Sequence, residues 1–322
     1  MSLATLNWRQ LSSVIPASNA IKDVPDAVYT CMTATTYRNG NARTPGSGSA
    51  WTFSRYQNAG TTEAVYGTPV TAALNHRLIL GGASGAKTPT MASPDTWATS
   101  TVLAGLAKNA GAYNAWDNAA PFTSGQFYGY WRAVASTITV AKVWAMECQE
   151  AVVIVFETAA GICFPIMCGA YLDPESSGAA AESDGRRYGL VTPHPTAGMV
   201  VANFLEGSGA WLWHGTGATS YHHMVADVGA VSTFVTAQLA MVSNGTTTTS
   251  MQDSAGNAVV FPLCIRRSSA APNDNYLGVT RQFGFTRNAL SYARRVNSSS
   301  VEQWYTLAYS TASANNALGF KV

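Results

Sequence analysis

Charge is what this chain has least of. Asp, Glu, Lys and Arg make up only 11% of its 322 residues, where about a quarter is usual. Hydrophobic residues reach 47%, so a sizeable core can form. Intrinsic disorder, which needs few apolar residues and a high net charge, is excluded. No apolar run reaches the 18 or so residues of a membrane-spanning helix, so no membrane partner is expected. The start, MSLATLNWRQ, has no basic stretch followed by an apolar one, so no secretory signal is expected either. The triplets at Asn244 and Asn297 then carry no weight as glycosylation acceptors. Cysteines number five, at 31, 148, 163, 168 and 264. An odd count with no Cys-x-x-Cys pair gives neither a zinc ribbon nor a redox motif. Four of them lie in apolar runs such as GICFPIMCGA, where a free thiol behaves as a small core hydrophobe. All five are expected to be reduced.

What fills the space left by charge is Ala, Ser, Thr and Gly. A surface so poorly charged is weakly defended against self-association, because net charge is what keeps proteins apart. The formal net charge of +2 conceals an uneven distribution. Residues 1–142 carry ten basic and five acidic side chains, residues 143–255 two and ten, and residues 256–322 seven and two. An acidic middle therefore lies between basic ends. Arg outnumbers Lys 14 to 5, and Arg is the cation preferred at interfaces for its planar, weakly hydrated fork. Unlike segments can pair within one monomer or between subunits.

Along the chain, Ala20 to Met32 places Ile21, Val24, Val28, Cys31 and Met32 at helical spacing, with Pro25 tolerated early. RNGNARTPGSGSA (38–50) reads as an exposed loop. Short strands are expected at 51–56, 63–67 and 76–82, and a second helix over 100–108, stopped near Gly111. From residue 125 the texture turns to β. AVVIVFETAAGICFPIMCGAYL predicts a pair of buried strands, and further strands are expected at 186–191, 198–205, 210–215, 232–242, 257–267, 279–287 and 302–309. The expected fold is mainly β, a sandwich or barrel-like antiparallel structure with a few short helices mostly in the N-terminal third. The expected division is a mixed α+β region over 1–124 and a β-rich domain over 125–322.

Several motifs invite chemistry. GGASGAKT (81–88) approaches a phosphate-binding loop, but Ala86 stands where the motif needs Gly and Pro89 blocks the helix that should follow. His222 and His223 are adjacent, so on a strand they face opposite ways and cannot share one metal ion. His194 lies between two prolines with no nucleophile in a Gly-x-Ser-x-Gly turn. Glu147, Glu150 and Glu157 could supply the two carboxylates of a glycosidase. They flank an apolar strand, however, where an edge charge blunts aggregation. No catalytic, cofactor, nucleotide or metal site is therefore expected. Tyr113, Trp116, Phe122, Phe127, Tyr128, Tyr130 and Trp131 crowd one stretch, and Trp211 and Trp213 lie two apart. Such clusters are core or interface anchors, or sugar platforms when exposed. Basic residues do not interleave with them, so no specific nucleic-acid binding is expected.

NARTPGSGSAWTFSRYQ, ASPDTWATSTVLAGLAKNAGAYNAW and AYLDPES…AAAESDGRRYGLVTP together resemble uncharacterised structural proteins of tailed bacteriophages. That resemblance implies a virion component, in capsid decoration, tail or baseplate, made in the host cytoplasm and contacting other virion proteins. It carries over no catalytic residue. The expected working form is a homo-oligomer whose contacts join unlike-charged segments. Arg266, Arg267, Arg294 and Arg295 would face the acidic loop around Glu175, Glu182 and Asp184. The alternative is a carbohydrate- or host-receptor-binding module of a phage tail, which would use the aromatics on a glycan.

Overall fold

The structure, a computed structural model, describes residues 5–15, 20–38, 40–47, 50–58, 61–69, 77–82, 102–107, 127–134, 139–159, 163–172, 187–193, 222–227, 234–240, 261–267, 276–287, 296–298, 303–308 and 316–321. These residues form one helix and two antiparallel sheets, so the fold is mainly β.

The smaller sheet is a meander of β2 (Thr52–Asn58), β3 (Thr61–Thr68), β4 (Arg77–Gly82), β5 (Val102–Ala107) and β6 (Phe127–Val134), paired in chain order. The larger one begins at β1 (Asn7–Ile15) and continues through β7 (Val140–Cys148), β8 (Ala151–Glu157), β9 (Cys163–Leu172) and β10 (Arg187–Pro193). It then passes through β11 (His222–Asp227), β12 (Phe234–Ala240), β13 (Phe261–Arg267) and β14 (Tyr276–Arg287). Beyond β14 the order is β17 (Asn316–Lys321), β16 (Gln303–Ala308) and β15 (Val296–Ser298). Strand β9 also pairs with β14, through Tyr171 and Leu172. Strands join across the change in texture near residue 125, since β5 pairs with β6 and β1 with β7.

The helix, α1 (Ala20–Thr33), forms where the apolar spacing predicts it. Val24, Ala27, Val28 and Cys31 fall on one stripe and are buried. Pro25 sits in the second turn rather than the first, where its missing N–H removes one rung of the helix ladder. The Thr33 hydroxyl donates back to the Tyr29 carbonyl at 2.7 Å in the last turn. The stripe packs between the sheets, against β1 and β7 on one side and β2 to β5 on the other. There it meets Trp51, Phe53, Val65, Leu78 and Leu80 from the small sheet and Val143, Ala145, Ile154 and Phe156 from the large one. Trp51 and Phe156 have no exposed surface, and burying a side chain of that size contributes about 1.5–3 kcal/mol.

Strands β7 and β8 are buried on both faces. One face carries Val143, Ala145, Val152, Ile154 and Phe156 toward α1, while Trp144, Met146, Val153 and Val155 on the other face are equally inaccessible. That is why AVVIVF reads as a continuous apolar run instead of an alternation. A two-residue turn at Gln149 and Glu150 joins the pair, and β8 pairs with β9 as the apolar pattern predicts.

The helix expected over 100–108 is instead strand β5, held between β4 and β6. VLAGLA has ordinary helix formers around Gly105, but propensity is a weak prior that two flanking strands override. Strand β1, with no clear alternation in NWRQLSSVI, was not anticipated, nor were β11, β15 and β17. The strands expected at 198–205 and 210–215 lie outside the described residues.

Candidate functional site: two buried carboxylates

The glutamates expected at an exposed edge are among the least accessible residues of the molecule. Strand β7 is covered by β1, so neither β7 nor β8 is an edge, and Glu147 and Glu157 are 1% and 2% exposed. The edge-charge reading is thereby corrected for both. Only Glu150, in the turn, is partly accessible.

Glu147 faces α1 with the inward residues of β7. Its partners come from a segment more than ninety residues away in sequence. Residues 35–43 fold into a small hairpin in which Thr36 pairs with Ala42, Tyr37 N–H donates to the Asn41 carbonyl and Arg43 N–H to the Thr35 carbonyl. Gly40 turns this hairpin with φ at 85°, a left-handed conformation that other residues adopt at a steric cost. The hairpin delivers two side chains inward. The Tyr37 hydroxyl donates to Glu147 Oε1 at 2.8 Å, and Arg43 Nε donates to the same oxygen. Arg43 Nη2 reaches Oε2 at 3.2 Å, and the Trp51 backbone N–H donates to Oε2 at 2.9 Å. Arg43 Nη2 also donates to the Trp51 carbonyl at 2.6 Å, while the Trp51 indole donates to the Cys148 carbonyl at 2.9 Å. The carboxylate thus accepts four hydrogen bonds, two per oxygen, which uses its acceptor capacity in full. It clamps the 35–51 segment to β7.

Glu157 faces the other way. Oε2 accepts from the Trp144 indole at 2.8 Å and Oε1 lies 3.4 Å from Lys142 Nζ, both on the paired strand β7. Trp144 is stacked on Trp8 of β1, with centroids 5.5 Å apart and planes at 28°. This cluster ties β1, β7 and β8 together.

Neither carboxylate stands in an open cleft beside the other; they occupy opposite faces of one ribbon. A general acid or base needs a proton-exchanging position within reach of a substrate, and Glu147 has each acceptor position occupied by the protein.

Three thiols are described, and all are free and buried: Cys31, Cys148 and Cys168. Burial pushes Cys31 and Cys148 up to about 11, and drives Cys168 up as well, because a thiolate has no favourable place in the core. His222 and His223 are consecutive on β11, in register with Pro193 and Thr192 of β10. Among the described residues, no group of three or more His, Cys, Asp or Glu is placed to hold a metal ion, and no helix is long and apolar enough to cross a membrane.

Of the expected interface residues, Arg266 and Arg267 lie at the end of β13, paired with Gln238 and Ala237 of β12. Arg294, Arg295, Glu175, Glu182 and Asp184 lie outside the described residues, as do Tyr113, Trp116, Phe122, Trp211 and Trp213. Phe127, Tyr128, Tyr130 and Trp131 fall on β6, at one edge of the smaller sheet. The residue that sequence reasoning missed is Arg43. It sits in a Gly/Ser/Thr-rich stretch expected to be exposed, and the only hint was a lone Arg closing a turn ahead of a Trp. Neither a protein-family model nor a curated protein matches this sequence.

Proposed function

We propose that the protein is a structural subunit of a bacteriophage virion, in capsid decoration, tail or baseplate, acting through protein–protein assembly as a homo-oligomer. The observation that best supports this reading is the use made of the buried carboxylates. The two residues best suited by type and spacing to acid–base work are paired with Arg43 and Lys142, in contacts that fasten elements together. Their role is cross-linking. The scarcity of charge, at 11% of residues, suits a surface covered by neighbours.

The strand pairings support a finer reading of the architecture. The edge of β9 that pairs with β8 up to Gly169 goes on to meet β14 at Tyr171 and Leu172, while the other edge pairs with β10. The six strands β9 to β14 therefore return upon themselves, and we read them as a closed antiparallel barrel. Closure removes edges from that part of the sheet. Among the described strands the remaining edges are β1 and β15 of the larger sheet and β2 and β6 of the smaller one, where another copy or another virion protein can add a strand.

Light scattering and negative-stain microscopy of the purified chain test the assembly reading. A discrete oligomer or particle is expected. Reversing Arg294 and Arg295 to Glu should block assembly while leaving the melting temperature within a few degrees. A stable monomer at high protein concentration that binds defined glycans on an array would overturn the proposal in favour of the receptor-binding alternative.

A further inference from the structure

Among the described residues, two guanidinium groups with unpaired nitrogens and one carboxylate lie on the α1-facing side of β1 and β7. Arg43, whose side chain is 1% exposed, uses Nε and Nη2 on Glu147 and Trp51, yet its buried Nη1 has no hydrogen-bond partner. Arg9 of β1 has a buried Nη1 in the same condition. Arg9 lies opposite Ala145, and Asn7, two residues earlier, lies opposite Glu147. Residues two apart share a face, so Arg9, Ala145 and Glu147 are on the side of the ribbon that packs on α1. Arg9, Glu147 and Arg43 all act electrostatically on the Cys31 thiol of that helix. Among the described residues, Arg9, Arg43 and Glu147 thus put two positive charges and one negative near this helix.

Among the described residues, no carboxylate is ion-paired with Arg9, Asp23 of α1 included. Glu147 already accepts four hydrogen bonds and has no position left for Arg9. Desolvation keeps Cys31 protonated, with its thiol pushed up to about 11, so it offers no thiolate. Asp26 is paired with Arg55, and Glu157 is on the opposite face of the ribbon. A water molecule would accept a hydrogen bond from an orphaned Nη1 but would leave the surplus charge uncompensated, and an uncompensated buried charge is costly.

We propose that Arg9 and Arg43 together bind one small monovalent anion, of the size and charge of chloride, between β1 and α1. A single negative charge matches the surplus, and a spherical ion accepts N–H donors from any direction. Arg9 is only partly buried, which gives the ion a route from solvent along the outer strand of the sheet. The anion would lock β1 to the Arg43–Glu147 clamp.

The test uses the full chain melted in sodium chloride and in sodium gluconate at equal ionic strength, together with crystals grown in bromide. Chloride should raise the melting temperature saturably, by roughly 2–4 °C, and Arg9→Met, which keeps the apolar stem, should abolish that rise. Bromide should give an anomalous peak within hydrogen-bond distance of both Nη1 atoms, a readout on the unaltered protein that stands even if the variant does not fold. Identical melting in the two salts with no bromide peak would mean that water alone fills the position, and the proposal fails. A saturable rise that persists in Arg9→Met places any halide elsewhere and equally overturns it.

Discussion

Glu147 and Glu157 lie ten positions apart on two paired strands and are almost equally inaccessible, yet they do different work. Glu147 draws its donors from Tyr37, Arg43 and Trp51, which are 110, 104 and 96 residues away in sequence. Glu157 takes Lys142 and Trp144 from the neighbouring strand, 15 and 13 residues away. The first is a clamp between distant parts of the chain, and the second a brace within one hairpin. Their cations differ in the same sense. Arg43 is wholly enclosed, whereas the Lys142 side chain is 35% exposed and keeps part of its hydration. Burial alone therefore says little about what a carboxylate contributes; the distance its partners span along the chain decides.

The comparison is most directly broken at Glu147. Replacing it by Ala leaves Arg43 charged and buried, and removes the carboxylate acceptor of the Tyr37 hydroxyl and the Trp51 N–H. A loss of about 3–5 kcal/mol is expected in denaturant unfolding, the usual cost of stranding one partner of a buried pair. A loss below about 1 kcal/mol would show that the clamp is not what holds the 35–51 segment.

Alkali should act next. Cys31 and Cys148 have thiols pushed up to about 11 in the fold, against 9.0 ordinarily. Below pH 9 both states keep the proton, so their contribution is fully present. As pH rises from 9 toward 11 the unfolded chain releases protons that the folded chain retains, and stability falls. Each fully realised shift corresponds to on the order of 3 kcal/mol. Denaturant midpoints measured between pH 8 and 11 check this, with Cys31→Ala lessening the slope. Alkylation of the native protein at pH 8 should leave all three described thiols unlabelled.

Gly67→Ala probes the packing beside the clamp. Gly67 lies opposite Phe53, and a Cβ there would come within 2.8 Å of the Phe53 ring and 3.4 Å of Trp51. The ring must shift, at about 1–3 kcal/mol. An unchanged melting temperature would show that Phe53 relaxes freely.

The smallest effect is expected at Glu157→Gln. The amide oxygen can still accept from Trp144, and the lost attraction is to a lysine that keeps part of its water. About 1 kcal/mol is expected. A cost equal to that of Glu147→Ala would erase the distinction between clamp and brace.

The same contrast marks what could be read from the residues in order. The α1 stripe and the 151–172 strand pair were legible because apolar periodicity is a local signal. Strand β5 was not, because VLAGLA suits either state and only its two neighbours decide. Glu147 and Glu157 read as edge charges because nothing nearby in sequence reveals that β1 covers β7, nor that Arg43 arrives from a Gly-rich loop. A long-range cross-link leaves no trace near either of its ends. Of the expected charge-paired interface, the structure describes only Arg266 and Arg267.

Strand β1, the 35–51 hairpin and their partners on β7 also set an order of events during synthesis. Tyr37, Arg43 and Trp51 emerge from the ribosome about a hundred residues before Glu147. At translation rates of roughly 5–20 residues per second, that is a wait of about 5–20 seconds. In that interval α1 has an apolar stripe with β1 and the small sheet against it, but without β7. Among the described strands, β1 pairs with β7, which is made last of these pieces. A nascent chain truncated before residue 140 should therefore be held by chaperones, and one extended past β9 should be released.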